Sequence, residues 1–122
     1  EWNKTAFDSK VPADAIKAIG GANAQESKDI LIKAPDIAEN GAVVPVEVTS
    51  KIPNTRSIAI FAEKNPFPLV ATFDVAAGAE GYASTRIKLG QTSNIKVLVK
   101  AADGKFYSAS REVKVTIGGC GG

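Results

Sequence analysis

Histidine is absent from this chain of 122 residues, and cysteine occurs once. Each absence excludes a class of chemistry. Without imidazole there is no histidine general base, no Ser-His-Asp or Cys-His arrangement and no imidazole metal site. A blue-copper electron carrier is excluded for the same reason, despite the β-rich pattern described below, because its copper needs histidine ligands. A single cysteine can form neither an internal disulfide nor a thiolate metal cluster. An excess of one charge sign is also missing: 15 Lys and Arg oppose 13 Asp and Glu, for a net charge of +2. Nucleic acid and anionic membrane are therefore not expected partners, since both require a basic field or patch. No apolar run approaches the ~18 residues of a membrane span. No pair of carboxylates stands out. A self-sufficient hydrolase or metalloenzyme is not encoded here.

What is present suits one domain. Hydrophobic residues make up 44% of the chain, enough at this length to bury roughly two-thirds of the unfolded surface without disulfide or metal. The sequence starts at Glu1 rather than Met, which points to processing of a longer precursor.

The segment "SKVPADAIKAIGG" at 9–21 reads as one short helix at about 12–19. Pro12 suits its first position, Asp14 complements the dipole in the first turn, and Gly20-Gly21 ends it. Ile16 and Ile19 give it an apolar face, as expected of a helix docked on a sheet. Short strands follow, separated by turn residues. "DILIKA" (29–34) leads into "APDIAENG", where Asn40-Gly41 signals a turn. "AVVPVEVTS" (42–50) sets Val44, Val46 and Val48 on one face and Glu47 and Thr49 on the other. Pro45 cannot donate to a ladder, so this strand is expected to lie at an edge or to bulge. "RSIAIFAEK" (56–64) alternates through Ile58, Ile60 and Ala62, "NPFPL" interrupts, and "VATFDV" (70–75) resumes. "ASTRIKLG" (83–90) precedes a long hairpin (94–117) turning at Asp103-Gly104. Its first arm points Ile95, Val97 and Val99 inward; its second alternates Val113, Val115 and Ile117 with Lys114 and Thr116. About seven strands predict an all-β, immunoglobulin-like antiparallel sandwich.

The last strand is expected to end at Ile117, where "IGGCGG" begins. Glycine loses the most backbone freedom on ordering and has no side chain to offset the loss. The sequence thus divides into a domain over 1–117 and a mobile arm over 118–122. Extended, five residues reach roughly 17 Å and carry Cys120 roughly 10 Å beyond the sheet. Gly118, Gly119, Gly121 and Gly122 make the backbone thin enough for a narrow channel. No Lys, Arg or helix N-terminus adjoins Cys120, and the terminal carboxylate opposes ionisation of the thiol. Such a cysteine is acted on by other active sites rather than catalysing by itself. A buried core cysteine, a labelling tag and an inconsequential terminus are the competing readings of the tail.

The terminus "EVKVTIGGCGG", with "TSNIKVLVKAADGKFYSASREV" before it and "IAIFAEKNPFPL" upstream, resembles the SoxY family, the sulfur-carrier subunits of the bacterial thiosulfate-oxidising (Sox) system. The likeness runs from about residue 10 to 122, and the terminal pentapeptide matches the family's carrier motif without substitution. The resemblance implies a carrier rather than an enzyme, with no cofactor and no metal of its own. Cys120 would hold pathway intermediates covalently. A c-type haem enzyme (SoxAX-like) would attach thiosulfate as an S-thiosulfonate, and a dimanganese hydrolase (SoxB-like) would release sulfate to leave a persulfide. In some organisms a molybdenum-haem sulfane dehydrogenase (SoxCD-like) would oxidise that sulfur. The resemblance also implies a heterodimer with a SoxZ-like subunit and a periplasmic location reached by twin-arginine export. An unpaired thiol in an oxidising compartment is expected to form Cys120–Cys120 disulfide-linked dimers or oxidised adducts. Two other readings stay open: a Gly-Gly-ended thiocarboxylate sulfur carrier, and a β-sandwich interaction module without carrier chemistry.

Overall fold

The structure, a computed structural model, describes residues 24–65 and 68–116. The expected helix at 12–19, Ile117 and the 118–122 arm lie outside them. Nine strands form within the described residues: β1 (Gln25–Glu26), β2 (Ile30–Lys33), β3 (Ile37–Ala38), β4 (Val44–Ser50), β5 (Thr55–Ala62), β6 (Leu69–Asp74), β7 (Gly81–Ile87), β8 (Ser93–Ala101) and β9 (Phe106–Val115). They build an all-β, immunoglobulin-like sandwich. One sheet has the order β1-β9-β8-β5-β6, with β3 also on β9; the other has the order β2-β4-β7.

Alternation of side chains explains the layering. Val44, Val46 and Val48 of β4, Ile58 and Ile60 of β5, and Ile95, Val97 and Val99 of β8 are fully buried between the sheets. Each stands two residues from the next, so one face of every strand supplies the core. The Asp103-Gly104 turn forms as its residues demand. Gly104 has φ +85°, its N–H donates to Ala101 O, and the Lys105 N–H donates to the Asp103 carboxylate.

Pro45 corrects its expectation. β4 is neither an edge strand nor bulged: it is the middle strand of its sheet, and its register with β7 runs unbroken from Val44 to Ser50. The proline is accommodated because β2 pairs only with Glu47–Ser50. At Pro45 the strand therefore has a neighbour on one side, and a missing N–H breaks no ladder.

A second departure concerns β5 and β8. Both are buried on two faces. Ala59, Phe61, Leu69 and Leu98 form a smaller apolar cluster on the outer side of the larger sheet, and Ala24 and Phe106 pack against it. Two-residue strands β1 and β3 were not anticipated. Both run parallel to β9 along the same edge, β1 beside Tyr107 and Ser108, and β3 beside Lys114 and Val115.

Candidate functional site

Cys120, Gly118, Gly119, Gly121 and Gly122 lie outside the described residues. What the structure places is their anchorage, the last turns of β9. Pairing of β9 with β8 finishes at Ser93 and Val113. From there three other contacts hold the backbone. The Lys114 N–H donates to Asp36 O and the Thr116 N–H to Ala38 O, so β3 takes over the edge that continues towards the terminus. On the other side, the Val115 N–H donates to Thr92 Oγ1 at 2.9 Å. Further back on β9, Arg111 forms an ion pair with Asp36 and donates to Ile32 O, tying the β2–β3 connection to the strand.

Gly41 completes the brace. It accepts the Leu89 N–H through its carbonyl, and a Cβ there would stand 2.1 Å from Leu89 O and 3.2 Å from a Val115 methyl. Its φ is not in the left-handed region. Glycine is required here by space, although Asn40-Gly41 reads in sequence as a turn signal. The turn itself is carried by Asn40, whose side chain accepts the Ala42 N–H and whose carbonyl accepts the Val43 N–H.

Cross-ties between loops make this end of the sandwich a platform. The Lys64 N–H donates to Ser93 Oγ, Asn65 donates to Lys88 O at 2.7 Å, and the Glu63 N–H donates to Asn94 O. Thr92, Asp36 and Ala38 belong to no motif, and Gly41 reads in sequence only as half of a turn signal. Their role depends on β3 lying beside β9, a pairing across some 77 positions of sequence that no local pattern announces.

Two other features stand apart from this end. An open cleft of about 440 Å³ is lined by Lys28, Lys96 and Ser110, among others. Ser110 lies six residues back from Thr116 on β9, roughly 20 Å, beyond the roughly 13–14 Å that four extended residues give Cys120. The Tyr82 hydroxyl donates to the Glu47 carboxylate. That bond holds the phenol above the usual tyrosine range, on the outer face of the smaller sheet and away from the terminus. Among the described residues no group of three or more histidine, cysteine or acidic residues could hold a metal ion. Nor is any helix among them long and apolar enough to cross a membrane.

The family model described as "sulfur oxidation protein SoxY" matches residues 16–120, so the match extends through Cys120. The chain belongs to the SoxY family. Among solved structures it is similar to the sulfur carrier protein SoxY from Chlorobium limicola f thiosulfatophilum. The two share 50% identity at a TM-score of 0.76, covering 85% of this chain and 94% of that one. A superoxide reductase (neelaredoxin) from Ignicoccus hospitalis matches at a TM-score of 0.63 and 21% identity, over 71% of this chain and 80% of that one. A hypothetical protein from Pyrococcus horikoshii OT3 matches at a TM-score of 0.59 and 16% identity, over 73% of this chain and 94% of that one. The last two likenesses are of fold alone. No curated protein matches the chain. SoxY membership accords with the sandwich described above.

Proposed function

We propose that this SoxY-family chain is a sulfur carrier of periplasmic thiosulfate oxidation, and that Cys120 is its covalent attachment point. The reading rests on one observation above others. The family match runs through a cysteine set between two glycine pairs, a few residues beyond a strand end that is braced on both sides. A fixed base followed by side-chain-free backbone delivers a thiol to catalysts on other polypeptides. The chain supplies no acid, base or metal for the reactions and is not itself a catalyst.

The chemistry then follows by group. A c-type haem enzyme joins thiosulfate to the Cys120 thiol. An S–S bond forms, one proton leaves, and two electrons pass to haem. A dimanganese hydrolase adds water across the terminal S–S bond, releasing sulfate and one proton and leaving a persulfide. Where a molybdenum-haem sulfane dehydrogenase is present, the outer sulfur loses six electrons and takes three oxygens from water, and a second hydrolysis returns the free thiol. Gly118, Gly119, Gly121 and Gly122 keep the arm, residues 118–122, narrow and free to extend. The domain over 1–117 acts as the handle and as the half of a heterodimer with a SoxZ-like subunit.

Cys120→Ser tests this reading. Thiosulfate-dependent electron output from the reconstituted pathway is expected to vanish, with Tm and SoxZ-like subunit binding unchanged. Continued turnover by the serine variant would refute the assignment. One residue appended after Gly122 separates this reading from a terminal thiocarboxylate. It blocks thiocarboxylate formation and leaves Cys120 chemistry working.

A further inference from the structure

Among the described residues, the outer side of β7 is the longest open strand edge. The edge strand β2 has four residues, and β6 is offset by a bulge against β5 at Phe61. β7 runs seven residues from Gly81 to Ile87 in unbroken register with β4, and it contains no proline. Edges of this length ordinarily carry such interruptions, which block pairing with another chain. The ladder decides which backbone groups face outward. The Lys51 N–H donates to Asp29 O, so Thr49 and Glu47 also turn to β2, and Ser50, Val48 and Val46 turn to β7. Their partners there are Gly81, Ala83 and Thr85. The N–H and C=O groups of Tyr82, Ser84 and Arg86 therefore point off the sheet. Consistent with this, the Tyr82 N–H donates to Glu80 O instead of β4. The N–H groups of Ser84 and Arg86 have no acceptor among the described residues.

Turned antiparallel about Ser84, the middle residue of the strand, this edge is complementary to itself. Ser84 meets the same serine of a second copy, Tyr82 meets Arg86, and Glu80 before the strand meets Lys88 after it. All five side chains lie on exposed residues. Glu80, Arg86 and Lys88 form no ion pair among the described residues, and in this register no two like charges face each other. Arg86 of one copy stands opposite the other copy's tyrosine ring, whose hydroxyl is held by Glu47. That places a cation beside an aromatic face. We propose that the β7 edge pairs with the β7 edge of a second copy of this chain, joining the two smaller sheets into one. The Ser84 N–H of each copy donates to Ser84 O of the other, and the Arg86 N–H to Tyr82 O. Such a seam is isologous, so every contact occurs twice. It leaves the carrier arm unobstructed: β9 lies against β2, on the far side of the sandwich from β7. Antiparallel pairing also sets the two braced β9 ends at opposite ends of the dimer. The inference goes beyond the carrier reading and does not depend on it.

The test uses the full chain bearing Cys120→Ser, in which no dimer can be a disulfide, alone and at concentrations up to roughly 1 mM. Sedimentation velocity is expected to show a reversible monomer–dimer equilibrium. Amide exchange at Ser84 and Arg86 should slow as the dimer forms, because those N–H groups gain acceptors only from the second copy. Ser84→Pro deletes an N–H that β4 does not use; it should abolish the dimer and leave the circular dichroism spectrum unchanged. Glu80→Lys and Lys88→Glu should each raise the dimer Kd about tenfold, and the two together should restore it. The single changes shift net charge in opposite directions, so a shared loss and a joint rescue report contact across the seam. A chain that stays monomeric throughout would overturn the inference, as would a dimer indifferent to Ser84→Pro or a charge reversal without rescue. Loss of SoxZ-like subunit binding by the folded Ser84→Pro chain would do so too, by assigning this edge to the heterodimer.

Discussion

The two ends of the sandwich close their loops in different ways. At the end away from the terminus, Asn54, Gly78 and Gly104 all have positive φ, at 57°, 82° and 85°. Those loops reverse the chain mainly by local backbone conformation, with one tie between loops, from the Ala102 N–H to Asn54 O. At the other end no described residue has positive φ. There the connections are held by bonds from one loop to another, through Ser93 Oγ, Thr92 Oγ1, the Asn65 amide and the Gly41 carbonyl. A turn that closes on itself can be replaced without disturbing its neighbours. Loops that hold one another form a plate around the end of β9.

Paired glycine substitutions offer the largest contrast between the ends. At Gly41 an added Cβ would stand 2.1 Å from Leu89 O, a backbone atom, so the backbone itself must shift. Gly41→Ala is expected to cost about 2–3 kcal/mol by overpacking, and to accelerate amide exchange at Leu89, Val115 and Thr116 together. At Gly104 nothing lies within 4 Å of the added atom. Gly104→Ala should cost about 1–2 kcal/mol, from the left-handed backbone alone, and leave exchange at the carboxy-terminal end untouched. Denaturant unfolding combined with residue-resolved hydrogen exchange measures both. Equal exchange patterns in the two variants would remove the distinction drawn between the ends.

A smaller effect sharpens the same contrast. Thr92→Val keeps the shape of the side chain and deletes the acceptor for the Val115 N–H. A loss of about 1 kcal/mol is expected, with faster exchange confined to Val115 and its neighbours. If exchange there is unchanged, Thr92 does not hold the end of β9.

Much of the fold could be read from local pattern, because two-residue alternation is a local property. Val44, Val46 and Val48 of β4 and Ile95, Val97 and Val99 of β8 were placed inward by it and are buried. What escaped depends on distant partners. Pro45 read as an edge signal because nothing in its vicinity says that β2 stops opposite Glu47. β1 and β3 have two residues each and pair in parallel with a strand some 80 positions away, too short for any periodicity. Phe61 and Leu98 broke the one-sided template because they are buried on the outer face of a sheet, within runs whose inward residues already satisfied the pattern. The candidate attachment point was readable for the opposite reason. A lone cysteine between glycine pairs needs no folding partner to be conspicuous, whereas its support by Asp36, Ala38, Gly41 and Thr92 exists only in three dimensions.

The most direct test of the central claim is the intact mass of the chain after incubation with thiosulfate and the haem enzyme, read before and after a thiol reductant and compared with Cys120→Ser. The account predicts a gain of one thiosulfate-derived group on the unaltered chain, reversed by the reductant and absent from the serine variant. The same gain on the serine variant, or none on the unaltered chain, would contradict it.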